Sequence, residues 1–362
     1  MVMSRKPNTE AHLHALSVLA LCPDRSAEAV RHVVGLDESE REEFIHLAEV
    51  HHVVIRALEP LERQARTDGH AELARRVRTA LDREQDRIAK ALAGLDRVCA
   101  QLEAAGCAVV VMKTLDHWPD FGSDLDLITT ADRTRVLPLL KNALGGRRCM
   151  RTLSDCIAHK RSFTLPGLAE QVELHIKRLG QVGEHIKLAA RFIDRRHLET
   201  FGGHTFQVPA PEERVMAATL QRMYRHLYMR ICDVCNTAQL IKSRQLDYAG
   251  LRAAAEEGGI WPGVATYLMV VSDYVKKYRG QSLELPDQVV ASARFGAEKV
   301  FPRGLYCRFP VVPYGLALYA HQLRHIARSG DIHGTARLSL VPPLASIGAL
   351  AYALMGSSER IW

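Results

Sequence analysis

Asp124 and Asp126 stand two residues apart in Asp-Leu-Asp-Leu-Ile, a segment in which acidic and aliphatic side chains alternate. A period of two marks a β-strand, so both carboxylates point to one side while Leu125 and Leu127 anchor the other. Adjacent carboxylates repel each other, and solvent or a divalent cation between them relieves the repulsion. Carboxylate pairs together with substrate phosphates are a common way of holding Mg²⁺. A third acid, Glu173, lies on another alternating segment, where Val172, Leu174 and Ile176 interleave with Glu173 and His175. If the two strands are neighbours, the three acids form one cluster. Such a cluster can hold metal ions that clamp a triphosphate for in-line attack at phosphorus.

These residues need elements to position them. From Ala71 to Ala105, Leu73, Val77, Leu81, Ile88, Leu92, Leu95, Val98 and Leu102 recur at helical spacing, which predicts one long amphipathic helix. Gly106 ends it, and the apolar run Cys107–Met112 reads as a buried strand. After the Asp-x-Asp strand a helix is expected over 131–143, then strand-like segments over 148–153, 157–165 and 170–176. Helices return at 212–241, 248–257, 262–278 and 286–295. The fold class is therefore α+β: a small mixed sheet over 106–200, flanked by an N-terminal helical region over 1–105 and a C-terminal helical domain over 201–362.

Composition narrows the class. The chain has 362 residues, 47% hydrophobic and 25% charged, which excludes wholesale disorder, collagen-like repeats and a polytopic membrane protein. Most of the formal net charge of +7 falls beyond Gly202, and a basic C-terminal half suits an anionic partner. Eight cysteines scattered in apolar stretches point to reduced, core-filling thiols and a cytoplasmic protein. No signal peptide is read at the N-terminus. Residues 338–358 carry no charge and are expected to form a buried or amphipathic closing helix, with peripheral membrane contact as the alternative.

The stretch Val-Met-Lys-Thr, then Ser-Asp-Leu-Asp-Leu, then Glu-Leu-His resembles the DNA polymerase β-like nucleotidyltransferase superfamily. More narrowly, it is similar to bacterial nucleotidyltransferase-like proteins whose core runs apolar strand, Lys-Gly, Ser-Asp-x-Asp and a strand ending in acid-x-His. The resemblance covers about 105–260. It implies Mg²⁺ or Mn²⁺ on Asp124, Asp126 and Glu173, with an NTP such as ATP as substrate. It also places Lys113, Thr114 and Ser123 near the phosphates. Thr114 stands where the family usually has Gly, so a β-branched side chain is expected to crowd that loop. An arginine expected shortly before Asp124 is replaced by Asp120-Phe121-Gly122.

On a continuous 212–241 helix, Arg222, His226, Arg230 and Asp233 share a narrow polar stripe beside an apolar one. That stripe is expected to face the cleft, with Arg222 or Arg230 on the triphosphate and Asp233 orienting His226 or an arginine. Tyr224 and Tyr228 are read as core packing, with base stacking as the alternative. Cys232 and Cys235 have Cys-x-x-Cys spacing without a second pair and are read as core, as are His12, His14, His51 and His52 as surface or satisfied core histidines. The function expected is metal-dependent transfer of a nucleoside monophosphate to an acceptor, with release of pyrophosphate. The acceptor classes left open are a small molecule, a natural-product intermediate, a protein and an RNA. Two alternatives are a glycosyltransferase using Asp-x-Asp with a sugar nucleotide, which needs a larger parallel sheet, and a non-catalytic interaction protein on the same fold.

Overall fold

The computed structural model describes residues 9–150 and 153–344. Five helices come first: α1 (Thr9–Leu21), α2 (Ser26–Val34), α3 (Glu38–Val50), α4 (Val54–Thr67) and α5 (Ala71–Ala104). The eight apolar residues whose spacing predicts the long helix are all on the buried side of α5. The central region supplies β1 (Val109–Val111), β2 (Asp124–Thr129), α6 (Arg133–Pro138), β3 (Arg147–Arg148), α7 (Leu153–Ile157), β4 (Lys160–Thr164) and β5 (Gln171–Ile176). The strands form one sheet in the order β1-β2-β5-β4-β3. Strands β2 and β5 run parallel, and the other pairs are antiparallel.

The remainder is mainly helical: α8 (Ile186–Asp194), α9 (Pro211–Thr219), α10 (Ile231–Lys242), α11 (Tyr248–Glu257), α12 (Trp261–Arg279), α13 (Asp287–Ser292), α14 (Leu316–Arg328) and α15 (Ile332–Leu338). Two short antiparallel systems interrupt it, the hairpin of β6 (His197–Phe201) with β7 (His204–Val208), and a small sheet of β8 (Tyr228–Met229), β9 (Phe301–Arg303) and β10 (Tyr306–Arg308). The fold is α+β, and the sheet is small and mixed. A sugar-nucleotide enzyme's larger parallel sheet is not present among the described residues, where β2–β5 is the parallel pair of a five-stranded sheet.

The sheet lies between two cores, and strand alternation assigns each residue to one of them. Leu125 and Leu127 of β2 and Val172, Leu174 and Ile176 of β5 face the core shared with α1–α5. Val110, Met112 and Ile128 face the core built around α8–α12. Asp124, Asp126, Glu173 and His175 fall on that second side, so the acids face the C-terminal helices.

Three expectations are corrected. The 212–241 helix is not continuous: after α9 the chain widens into a π-type turn over Leu220–His226, Leu227 turns left-handed at φ +54°, and Tyr228–Met229 pairs with β10 before α10 begins. The strand expected over 148–153 is only Arg147–Arg148, and Leu153–Ile157 is helical, while residues 151–152 lie outside the described residues. The β6–β7 hairpin was not anticipated. Its signal was the Gly202-Gly203 pair between alternating segments, where both glycines take positive φ, as a tight two-residue hairpin turn requires. Of the uncharged 338–358 segment, Leu338 closes α15 and is buried, whereas residues 345–358 lie outside the described residues. Among the described residues no helix is long and apolar enough to cross a membrane, and none of the eight cysteines is bridged.

One arginine ties the long helix to both ends of the acidic strands. Arg87 of α5 donates to Glu170 (2.6 Å) just before β5 and to the carbonyls of Gly122 (3.3 Å) and Phe121 (3.4 Å) just before β2. Glu170 is buried, so removing its cation leaves an uncompensated charge. Arg87→Ala is expected to lower unfolding free energy by about 3 kcal/mol, read from the denaturant midpoint. Arg87→Lys is expected to recover less than half, because an ammonium lacks the guanidinium fork that reaches Glu84, Glu170 and the two carbonyls at once.

Candidate active site

Parallel pairing puts Asp126 of β2 directly beside Glu173 of β5, with Ile128 beside His175. His175 Nε2 stands 3.3 Å from Asp126 Oδ1 and 3.1 Å from Glu173 Oε1. Two ammonium groups neutralise these acids: Lys113 Nζ donates to Asp126 Oδ1 at 2.6 Å, and Lys160, reaching over from β4, pairs with Glu173. Burial pushes the Glu173 carboxyl up, but the His175 hydrogen bond and the Lys160 charge outweigh it and hold it well below the usual range. Glu173 is thus a firm carboxylate and a poor proton acceptor.

Asp124 is different. It sits at the exposed start of β2, and burial of its carboxyl, reinforced by the charges of Asp126 and Glu173, raises its pKa to about 6. The expected metal set is Asp124, Asp126 and Glu173. The ligand atoms found within 4.8 Å of one another belong to Asp126, Glu173 and His175, so among the described residues His175 takes the place of Asp124 in the tight group. The two carboxylate oxygens suit Mg²⁺ or Mn²⁺, and the imidazole nitrogen favours the transition-metal ion. The cationic compensation that Lys113 and Lys160 provide is the kind a divalent ion supplies.

The loop before β2 is built around Thr114. Lys113, not Thr114, takes positive φ, at +64°, so the β-branched residue does not carry the loop's unfavourable backbone conformation. The Thr114 hydroxyl donates to the Asp124 carbonyl (2.8 Å) and accepts from the Asp126 N–H (2.9 Å). It pins the Asp-x-Asp backbone and is therefore not free for a phosphate. Asp120 explains the missing arginine: its carboxylate accepts from the backbone N–H groups of Ile55 (2.6 Å) and Arg56 (3.3 Å) and caps the N-terminus of α4.

The interrupted helix supplies the opposite wall. Arg222 is 1% exposed, and its Nε stands 2.7 Å from Asp233 Oδ2. Its Nη1 is buried with no partner. Of the two roles expected for Asp233, orienting an arginine is the one found. The Asp233 carboxylate also accepts from the Arg230 N–H (2.7 Å) and starts α10. Arg230 donates through Nη1 to His52 Nε2 (2.5 Å), and His52 stacks on His117 at 5.2 Å. Burial first, then the surrounding arginines, keep His226, His52 and His117 well below their ordinary pKa, so all three are neutral. Tyr228 stacks on Tyr306 at 4.1 Å, with Arg222 5.3 Å from its ring centroid.

All nine residues expected at the site, Lys113, Thr114, Ser123, Asp124, Asp126, Glu173, Arg222, His226 and Arg230, line one cavity of about 250 Å³. His52, His117, Lys160, Gln221 and Arg225 line it too and carry no motif that marks them, and Tyr228, for which base stacking was the alternative to core packing, also lines it. His51-His52 had been read as surface or satisfied core; His51 is core, accepting from the Ile231 N–H at 3.0 Å, but His52 reaches the cavity. Only the alternation around Glu173 hints at Lys160, as a cation on a neighbouring strand. Cys232 and Cys235 are core thiols raised by burial, Cys235 to about 11.

The family described as an uncharacterised nucleotidyltransferase matches residues 37–275. A solved structure of an antigenic nucleotidyltransferase-like protein from Paracoccidioides brasiliensis is similar at 14% identity and a TM-score of 0.31, over 42% of this chain and 76% of that one. No curated protein matches.

The two aspartates differ in what their charge does to stability without metal. The folded-state pKa of Asp124, about 6, lies above the unfolded value of about 4, so its ionisation destabilises the fold increasingly as pH rises from about 4 to about 6 and fully above that. Asp124→Asn is therefore expected to raise Tm at pH 8 by about 2 °C, the gain vanishing at pH 4. Asp126→Asn is expected to lower Tm at pH 8, because it leaves the Lys113 ammonium unpaired. Calorimetry in a chelator checks both signs.

Proposed function

The chain belongs to this family of uncharacterised nucleotidyltransferases, and from that premise we propose that it is a metal-dependent enzyme moving a nucleoside monophosphate from an NTP to an acceptor, with release of pyrophosphate. The observation that carries the reading is the cavity's charge. Five cations (Lys113, Lys160, Arg222, Arg225, Arg230) face three carboxylates (Asp124, Asp126, Glu173), and the buried Arg222 leaves Nη1 unpaired. A buried guanidinium nitrogen without an acceptor is costly, and a phosphate oxygen satisfies it.

Asp126 and Glu173 would hold Mg²⁺ or Mn²⁺, joined by His175 and, across the mouth, by Asp124. Bound there, the ion would polarise phosphoryl oxygens and offset the charge that develops as the phosphorus is attacked. Thr114 keeps the Asp-x-Asp backbone in register, and Ser123 stands at the edge of the same loop. Arg222 and Arg230 meet the triphosphate, and Asp233 fixes Arg222 for that contact. Lys113 and Lys160 exchange their carboxylate partners for phosphate oxygens. Tyr228 offers a face for a base beside the arginines. The eight free thiols suit a reducing, cytoplasmic setting.

Incubation with each of the four α-labelled NTPs, Mg²⁺ or Mn²⁺ and cell extract is expected to yield a labelled product. Asp126→Asn and Glu173→Gln are expected to reduce its rate by at least about 100-fold. A product formed at the same rate by both variants would refute the reading.

A further inference from the structure

The break in the helix after α9 does more than bring arginines to the nucleotide cavity. Because the chain widens over Leu220–His226 and then turns left-handed at Leu227, its side chains divide between two cavities. Arg222 faces the polar cavity. Met223, Tyr224 and Leu227 face a second, solvent-open chamber of about 510 Å³, bordered on its far side by Val311, Val312 and Leu316. Arg225 and His226 line both. The second chamber is within the size range of sites for drug-sized ligands, and its walls are mainly aliphatic and aromatic.

We propose that this apolar chamber is the acceptor subsite, and that the acceptor is a small molecule with an apolar body and a hydroxyl group held between Arg225 and His226. The inference rests on the nucleotidyl-transfer reading and adds the acceptor's chemical class. Two observations carry it. Neither the Arg225 nor the His226 side chain has a hydrogen bond or an ion pair with any described residue, although both stand on the partition between the chambers. Val311, Val312 and Leu316 expose 55%, 73% and 57% of their surface, apolar area that an apolar ligand removes from water. Arg225 is the one cation on the described walls of this chamber, which suits a single polar group and not the row of phosphates of an RNA end.

The chemistry balances without a further reagent. The acceptor's hydroxyl oxygen attacks the α-phosphorus and forms a new O–P bond. The bond from that phosphorus to the bridging oxygen breaks, and pyrophosphate leaves with the electron pair. The hydroxyl proton passes to water, and the neutral imidazole of His226 accepts a hydrogen bond from that hydroxyl and orients it. Glu173, held as a carboxylate by His175 and Lys160, stays out of the proton transfer.

Naphthylethanol, a fluorescent aromatic body with one primary hydroxyl, serves as the probe, titrated into the full chain by fluorescence anisotropy with glycerol as the polar control. Wild type is expected to bind it, dodecanol to displace it and glycerol to leave it bound. Leu316→Arg and Val312→Arg, both at exposed positions where folding is little affected, are each expected to weaken binding at least about tenfold. Absence of binding by wild type, or equal binding by wild type and both variants, overturns the proposal. NTP binding is read on the same samples from the melting temperature in Mn²⁺. If an NTP stabilises wild type and the arginine variants alike, the nucleotide reading stands whichever way the probe behaves. If no NTP stabilises wild type, the nucleotide reading fails and the acceptor assignment falls with it, even where the probe binds.

Discussion

The parallel pairing of β2 with β5 is the constraint from which the site follows. It sets Asp126 beside Glu173 and brings His175 within hydrogen-bonding distance of both. A one-residue slip in that register would carry the acids to the opposite face and into the apolar core shared with α1–α5. Several elements hold the register. Leu125, Leu127, Val172 and Leu174 are buried on the far face, Thr114 clamps the β2 backbone, and Arg87 ties together the segments that enter both strands. Little of the architecture around the acids can change without disturbing where they meet.

Holding like charges together then imposes an electrostatic demand on the rest of the cavity. Lys160 meets it from β4 and Lys113 from the loop before β2, and the arginines of the interrupted helix surround it from the opposite wall. The buried histidines add no charge of their own, since desolvation among so many guanidinium groups keeps them neutral. The result is a basic cavity around a small acidic centre, a distribution that suits a polyanion with a divalent ion. The same π-type turn that delivers Arg222 also opens the apolar chamber. The two cavities thus share one structural cause.

Much of this was legible in the sequence because it rests on local periodicity. Alternation located both acidic strands and their faces, helical spacing located α5, and all nine site residues named from spacing and resemblance line one cavity. What was not legible depended on tertiary context. The 212–241 segment keeps a helical pattern across residues that fold as a turn and a strand, because Tyr228 and Met229 find a partner in β10, some eighty residues downstream. Lys160 and Arg225 carry no motif, and only the strand order and the turn bring them to the acids. His52 belongs to an N-terminal helical region whose contact with the cavity is made through Arg230. The backbone role of Thr114 was not legible for a related reason: it depends on which residue of the loop takes positive φ, and here that residue is Lys113.

The central claim is that Asp126, Glu173 and His175 bind a divalent cation together with a nucleotide. Electron paramagnetic resonance of Mn²⁺ with a non-hydrolysable NTP analogue tests it most directly. The account predicts that wild type depletes the free-Mn²⁺ signal only weakly alone and strongly with the analogue, and that Glu173→Gln loses both effects. A free-Mn²⁺ signal that wild type leaves unchanged, or that the variant depletes equally, would contradict the account.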